Sequence, residues 1–407
     1  MPGPRSLAGR RFWFVGIGGA GMSAIALVAH AWGAVVGGSD RKRSRFVAPL
    51  EHAGIDVVIG EHSAANVPHG AEVIVSSAVG PVNPEVSAAE VVRRRGELLA
   101  ELVALGPSIV VGGAHGKTTT TAMIAFCLRE LGRDPTFLVG SEVPQLGGNG
   151  GAGNGWLVAE GDESDRSIEL LRPTVAVLTN VDFDHHSTFA SRAEVQQLFE
   201  RWLAGAEHVV RGDELDAVDL DLGVPGAHNR RNAAAALAAL ELAGVSREEA
   251  APVLVRYRGA GHRFERCGEA RGVTVVTDYG HHPAEIEVTI AAAREEFPGR
   301  VLVVFRPLRY SRTRHLAREL AAALAGADVV AVADVYGADE PALDDITGKL
   351  VVEALAEIRP GMPLAWTPKL ADAATFVARR TRPGDIVLAQ GADDVVAAVP
   401  LLLEALA

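Results

Sequence analysis

A lysine and a hydroxyl stand directly after a glycine-rich turn in Gly113-Ala114-His115-Gly116-Lys117-Thr118-Thr119. An apolar run, Ser108-Ile109-Val110-Val111, precedes the turn, and a helical apolar pattern, Ala122 to Leu128, follows it. Strand, glycine turn and helix start together make an anion site, because the first backbone N–H groups of a helix have no partner and its dipole favours negative charge there. Gly113, His115, Gly116, Lys117, Thr118 and Thr119 are therefore read as a nucleoside triphosphate loop, with Lys117 on the β/γ-phosphates and Thr118 offering its hydroxyl to Mg²⁺. The loop is shorter than the general P-loop pattern, which wants glycine where Val111 stands.

Two further stretches deliver acidic and imidazole groups at expected strand ends. Trp156 to Ala159 leads to Glu160, followed by Asp162-Glu163-Ser164-Asp165, and Val175 to Asn180 leads to Val181-Asp182-Phe183-Asp184-His185-His186. Mg²⁺ is held by few protein oxygens, by water and by substrate phosphate. Glu160 and His185 are the candidates to complete its site beside Thr118, and with Lys117 they form the expected catalytic set.

The elements that position these groups alternate strand and helix. Arg11 to Val15 reads as a first strand that ends in Gly16-Ile17-Gly18-Gly19-Ala20-Gly21, and Met22 to Trp32 continues as an apolar helix. A second strand ends in Ser39-Asp40, an acidic residue about twenty positions on, as a pyrophosphate-binding βαβ unit requires. Gly18, Gly19, Ala20, Gly21 and Met22 would cradle the pyrophosphate, with Ser39 nearby and Asp40 on a ribose. Any pyrophosphate ligand suits that turn, NAD included; the neighbouring triphosphate loop favours a nucleotide-sugar diphosphate. Ser76 and Ser77, after the strand Glu72 to Val75, sit where an α/β sheet makes ligand contacts. Gly106-Pro107 marks a first domain boundary, and the run Gly147 to Gly155 reads as a mobile loop too rich in glycine to pack.

Composition narrows the function classes. The chain has 407 residues, room for two or three domains. A net charge of −12 leaves no basic surplus for nucleic acid, and Arg41-Lys42-Arg43 and Arg93-Arg94-Arg95 read as solvated faces or small anion contacts. Two cysteines far apart, Cys127 and Cys267, suit a reducing compartment. No signal peptide and no apolar run long enough for a membrane span are expected, so the cytoplasm is the expected location.

These motifs resemble the Mur ligase family, which joins amino acids to the UDP-linked muramic acid precursor of peptidoglycan. The likeness covers nearly the whole chain and adds Gly226-x-His228-Asn229-x-x-Asn232, Asp278-Tyr279-Gly280-His281-His282-Pro283 and Phe305-x-Pro307-x-Arg309-Tyr310-Ser311-Arg312 to the strings above. His115, the Asp278–Pro283 run and the Arg309/Arg312 pair look most like the branch that adds L-alanine to UDP-N-acetylmuramate. The resemblance implies an α/β fold of three domains: a Rossmann-like UDP-sugar domain (1–106), a shortened P-loop ATPase-like domain (107–257) and a Rossmann-like amino-acid domain (258–407). It implies an ADP-forming ligase using ATP and Mg²⁺, with Asn229, Asn232 and Arg263 on the ATP side. Asp278, Tyr279, His281, His282, Arg309 and Arg312 would face the amino acid. Departures from the family stand at Ala114, where it has threonine, at Leu308, where it has histidine, and in the short stretch Trp202 to Gly226. Leu308 leaves open a different acceptor, and the short stretch leaves open a nucleotide-binding homologue without turnover.

Overall fold

The computed structural model describes residues 5–185, 188–338 and 340–407, so His186 lies outside the described residues. The chain forms two compact units. The first comprises residues up to Phe183, Ser191–Asp221 and Arg231–Ala260; the second comprises Asp184–Ala190, Leu222–Arg230 and Gly261–Ala407.

The first unit carries two sheets. One is built from β1 (Arg11–Val15), β2 (Val35–Asp40), β3 (Asp56–Ile59), β4 (Glu72–Val75) and β5 (Val91–Arg94), in the order β3-β2-β1-β4-β5 with every pair parallel. Parallel strands need crossover connections, and the helix Ala20–Ala31 supplies the first. The order reverses beside β1, which puts the Gly16–Gly21 turn at a switch point, where open α/β sheets hold ligands.

The other sheet of this unit follows from β6 (Ser108–Gly112), β7 (Thr136–Val143), β8 (Gly148–Gly151), β9 (Leu157–Glu160), β10 (Val175–Leu178) and β11 (His208–Arg211), in the order β11-β10-β6-β9-β7-β8. β6 lies near its middle with all residues buried, as fits a continuous apolar run in a sheet covered on both faces. The shortened stretch after Trp202 still supplies β11, parallel to β10, so the sheet keeps a sixth strand.

The second unit holds β12 (Glu265–Ala270), β13 (Val273–Asp278), β14 (Val301–Arg306), β15 (Val329–Val332), β16 (Leu364–Trp366) and β17 (Ile386–Gly391), ordered β12-β13-β17-β14-β15-β16. Only β12 pairs antiparallel. Alternate residues of β14 feed two apolar layers, Val301, Val303 and Phe305 on one face and Leu302 and Val304 on the other. Among the described residues no helix is long and apolar enough to cross a membrane.

One expected loop is a strand. Within the glycine run 147–155, residues Gly148–Gly151 form β8 and pair antiparallel with β7. The glycines are there for close approach: a Cβ on Gly150 would stand 2.8 Å from the Cα of Ala24 and 3.0 Å from its carbonyl oxygen. Asn149, buried beside it, donates from Nδ2 to Ala20 O at 2.7 Å and Ser23 Oγ at 2.9 Å. Composition signals flexibility only when no partner needs the missing side chains, and here the helix Ala20–Ala31 does. Gly150→Ala should therefore destabilise the protein by about 1–3 kcal/mol through overpacking. The check is the denaturant midpoint; an unchanged midpoint would mean that the helix and β8 are not in rigid contact.

Candidate functional site

The turn after β6 is held by the end of β10. Gly113 has φ +129°, and a Cβ there would overlap Thr179 Oγ1 and meet Asn180 O at 2.9 Å. Thr179 Oγ1 donates to His115 O at 2.6 Å, while Asn180 donates to the same carbonyl at 2.9 Å and accepts the His115 N–H at 2.9 Å. Gly116, at φ +82°, has Asn232 against it: a Cβ would stand 2.5 Å from Asn232 Oδ1. Gly113 and Gly116 are thus required by sterics as well as by conformation.

Lys117 opens the helix Lys117–Glu130 and folds over the turn, donating from Nζ to Gly113 O at 2.6 Å, Ala114 O at 3.2 Å and Glu163 Oε1 at 3.0 Å. Burial alone would favour the neutral amine, but Glu163, Asp162 and Glu160 outweigh it and hold the ammonium above its ordinary pKa. The carboxylate paired with Lys117 is therefore Glu163, one of four acidic residues between Glu160 and Asp165 that residue type and spacing alone do not tell apart. Glu160 accepts the Gly140 N–H at 2.6 Å, and Thr118 and Thr119 are buried in the first helical turn. His115 Nε2 lies 3.4 Å from Asp182 Oδ2.

The glycine turn after β1 is organised from below. Ser39 accepts the N–H groups of Gly16 and Ile17 on its carbonyl, and its hydroxyl donates to Glu85 Oε2 at 2.5 Å. Asp40 Oδ2 accepts the Gly18 N–H at 3.0 Å, so it closes the turn itself. Glu85 is fully buried and also accepts from Trp13 Nε1 at 2.9 Å and Asn66 Nδ2 at 2.7 Å, with His62 Nδ1 at 3.5 Å. Burial would raise its pKa; the hydrogen bonds from Ser39, Trp13 and Asn66 prevail and lower it. The Asn83-Pro84-Glu85 segment is an internal brace. Ser76 and Ser77 line a cavity of about 330 Å³ beyond the end of β4.

The arginine run splits by partner. Arg93 pairs with Glu101 at 2.8 Å and Glu72 at 3.3 Å, and Arg95 pairs with Asp162 at 2.6 Å. Neither is a solvated face; Arg94 alone of the three is exposed.

In the second unit the expected amino-acid residues fall into two groups. Asp278 is buried and accepts from Phe264 N, Gly280 N and Thr289 Oγ1 at 2.9, 2.8 and 3.1 Å, so it fixes the turn into the helix Pro283–Glu296. Burial raises its pKa. Arg312, also buried, is committed to Asp184 through contacts of 2.7 and 2.9 Å. Burial opposes the Asp184 charge, but the Arg312 cation keeps it well below the usual carboxylate range. His185 Nε2 is 3.7 Å from Asp184 Oδ2. Arg309 instead approaches Glu340 at 3.9 Å, so the two arginines do not form one fork. Leu308 bridges to Tyr336, and the Arg309 N–H donates to Tyr336 O. His281 stacks edge-on with Tyr279 at 4.8 Å, and its Nδ1 is 2.9 Å from the Tyr279 carbonyl. Burial, then the Arg312 cation, push its pKa down to about 3, leaving a neutral ring. Arg263 lies over the Tyr279 ring at 5.1 Å. Asn229 donates to Pro225 O at 2.7 Å, and His282 is the buried residue before the helix Pro283–Glu296.

A phosphate loop and a second pyrophosphate-type turn in one unit, and a third α/β sheet in the other, define a nucleotide-binding α/β architecture. Family models agree along the chain: the Mur ligase family catalytic domain matches residues 11–106, the Mur ligase middle domain 111–206, and the Mur ligase glutamate ligase domain 262–393. The UDP-N-acetylmuramate–L-alanine ligase of Desulforamulus reducens is 36% identical across 95% of this chain and 96% of its own. That of Renibacterium salmoninarum is 39% identical across 98% and 96%. Among solved structures, the UDP-N-acetylmuramate–alanine ligase of Thermotoga maritima superposes with a TM-score of 0.83 at 27% identity, covering 97% of this chain and 98% of that one. A murein peptide ligase from Psychrobacter arcticus shares the fold, with a TM-score of 0.70 at 23% identity and coverage of 98% and 99%. The chain belongs to the Mur ligase family, and it is an ATP-dependent, ADP-forming ligase.

Glu85 gives a pH-dependent test of the brace. Its pKa is lower folded than unfolded, so its stabilisation is complete above the unfolded value and lost as pH falls through the folded one. Glu85→Gln should cost about 1–3 kcal/mol at neutral pH, with the melting-temperature gap to wild type closing in acid. A gap that stays constant down the pH scale would refute the charged brace.

Proposed function

We propose that this chain condenses the carboxylate of UDP-N-acetylmuramate with the amine of L-alanine, at the expense of ATP. What carries the reading is Lys117 over the Gly113–Gly116 turn in a chain that resembles L-alanine-adding ligases end to end.

The chemistry begins from an unreactive carboxylate, which an amine cannot attack directly. Transfer of the γ-phosphoryl group of ATP makes it an acyl phosphate; the amine then adds to the acyl carbon and phosphate leaves. The transferred oxygens accumulate charge, and the Lys117 ammonium, kept protonated by Glu163 and its neighbours, is placed to offset it. Ala114 contributes no hydroxyl to the loop; Thr179 and Asn180 hold the turn from behind, Asn180 taking the Ala114 and His115 N–H groups, which leaves the amides at the start of the helix Lys117–Glu130 for phosphate.

The donor set fits Mg²⁺: a helix-start hydroxyl, Thr118, and a strand-end carboxylate, Glu160, are hard oxygen ligands at the phosphate loop. Thr118 and Glu160 would hold the ion, which when bound neutralises charge on the phosphate oxygens. Gly18 to Met22, with Ser39, Asp40, Ser76 and Ser77 around them, are the proposed sugar-nucleotide side. Asn232 is assigned to the ATP side through its place against Gly116. Tyr279, His281 and Arg309 are the proposed amino-acid side, where a neutral His281 can accept a hydrogen bond from an ammonium group and Arg309 can meet a carboxylate. Asp278 and Arg312 serve there by holding other groups in place.

Phosphate release from ATP, measured with UDP-N-acetylmuramate and a panel of amino acids and short peptides, tests the assignment. Release is expected with L-alanine and should fall about 100- to 1000-fold in Lys117→Ala. Release with a peptide but not with L-alanine would assign a different acceptor, and release surviving Lys117→Ala would remove the lysine from the mechanism.

A further inference from the structure

The cavity beyond β4 is bounded by Ser76 and Ser77, by the start of the helix Arg95–Ala104, and by Asp165 to Ser167. Arg95 lines it. Its Nη2 donates to Asp162 Oδ2 at 2.6 Å and lies 3.5 Å from Asp165 Oδ2, so that edge of the guanidinium is anchored. Its Nε and Nη1 have no hydrogen-bond partner among the described residues. Nη1 points at the first turn of the helix Ala20–Ala31: a Cβ on Gly21 would stand 2.7 Å from it. That turn has no acidic residue and no side-chain cap.

The arrangement is that of an arginine held in place for an anion. A guanidinium offers five donors in a fixed fork, and anchoring one edge removes most of the entropy cost of using the other. The two aspartates keep the cation charged despite its burial: burial alone would lower its pKa, and Asp162 and Asp165 raise it. Asp162 in turn stays ionised because Arg95, ahead of Lys117, outweighs its burial. A guanidinium used only as a strut would spend its donors on the aspartates, whereas this one leaves the edge facing the glycine turn unspent.

We propose that Arg95 binds the diphosphate of the sugar nucleotide, its free edge completing the anion site formed by the Gly16–Gly21 turn while Asp162 and Asp165 hold the other edge. The assignment rests on the proposed function, in which this turn takes the UDP-sugar. The diphosphate is favoured over the lactyl carboxylate because Nη1 faces the helix start, where backbone N–H groups collect phosphate. Asp162 belongs to the same acidic string as Glu163, the partner of Lys117, so Arg95 also ties the sugar-nucleotide turn to the phosphate loop of the same unit.

Calorimetric titration of the full chain with UDP-N-acetylmuramate and with UDP-N-acetylglucosamine, which has the diphosphate but no lactyl carboxylate, tests this. Arg95→Gln should weaken both ligands about 10- to 100-fold, as expected for a lost charge-assisted hydrogen bond. Asp162→Asn, which releases the anchor but keeps the guanidinium, should weaken them by much less. Equal losses in the two variants would make Arg95 a strut and overturn the proposal. A loss confined to UDP-N-acetylmuramate would overturn the diphosphate assignment in favour of the carboxylate, and unchanged binding in Arg95→Gln would overturn both. If circular dichroism shows Arg95→Gln unfolded, Arg95→Lys takes its place, with a smaller loss expected for both ligands and undiminished affinity counting against the proposal. Wild-type protein that binds neither UDP-sugar would instead refute the underlying functional reading.

Discussion

The turn between β6 and the helix Lys117–Glu130 passes so close to the end of β10 that no side chain fits at Gly113, and so close to Asn232 that none fits at Gly116. Much else follows from that closeness. Because β6 and β10 are parallel neighbours, Thr179 and Asn180 arrive level with the turn and bind His115 from both sides of its peptide. Lys117 then closes over the turn's own carbonyls and meets Glu163, delivered just past the end of β9 on the other side of β6. A phosphate loop needs a rigid turn and a cation beside it, and three adjacent strands fix both before any nucleotide arrives.

Buried carboxylates do the corresponding work elsewhere. Glu85 gathers donors from β1, β2 and the segment after β3, and through Ser39 it sets the Gly16–Gly21 turn. Asp278 gathers amides and a hydroxyl at the end of β13. Asp184 holds Arg312 by three contacts. Each sits beside residues proposed to touch substrate and has its own oxygens already occupied. A buried charge is tolerated only when its lone pairs are filled, and a group so filled cannot leave its place without exposing an unpaired charge. Such residues therefore suit the precise placement of loops better than they suit reaction.

The shortened central segment costs the sheet less than its length suggests. β11 still flanks β10, and β8, made of glycine and asparagine, extends the opposite edge by lying against the helix Ala20–Ala31. The sugar-nucleotide turn and the phosphate loop are thereby joined within one unit by Asn149, by Gly150 and by the Arg95–Asp162 pair.

Contiguous signals were legible in the sequence: the strand, glycine turn and Lys-Thr of the phosphate loop, the Gly16–Gly21 turn, and the alternation of apolar strands with helices. Each is local, because a turn or a helix start is specified by neighbours in the chain. The choice among chemically equivalent groups was not legible. Glu160, Asp162, Glu163 and Asp165 lie within six residues, yet one meets an amide, one the arginine that opens the helix Arg95–Ala104 and one the lysine. Likewise the glycines of β8 read as a loop until the helix that needs their missing side chains is in place. Arg309 and Arg312 read as a pair until Asp184, distant in sequence, takes one of them. Residue type and spacing determined which chemistry the chain carries; which atom meets which was decided only by tertiary structure, because hydrogen-bond and ion-pair partners are set by distances between segments that sequence separation does not encode.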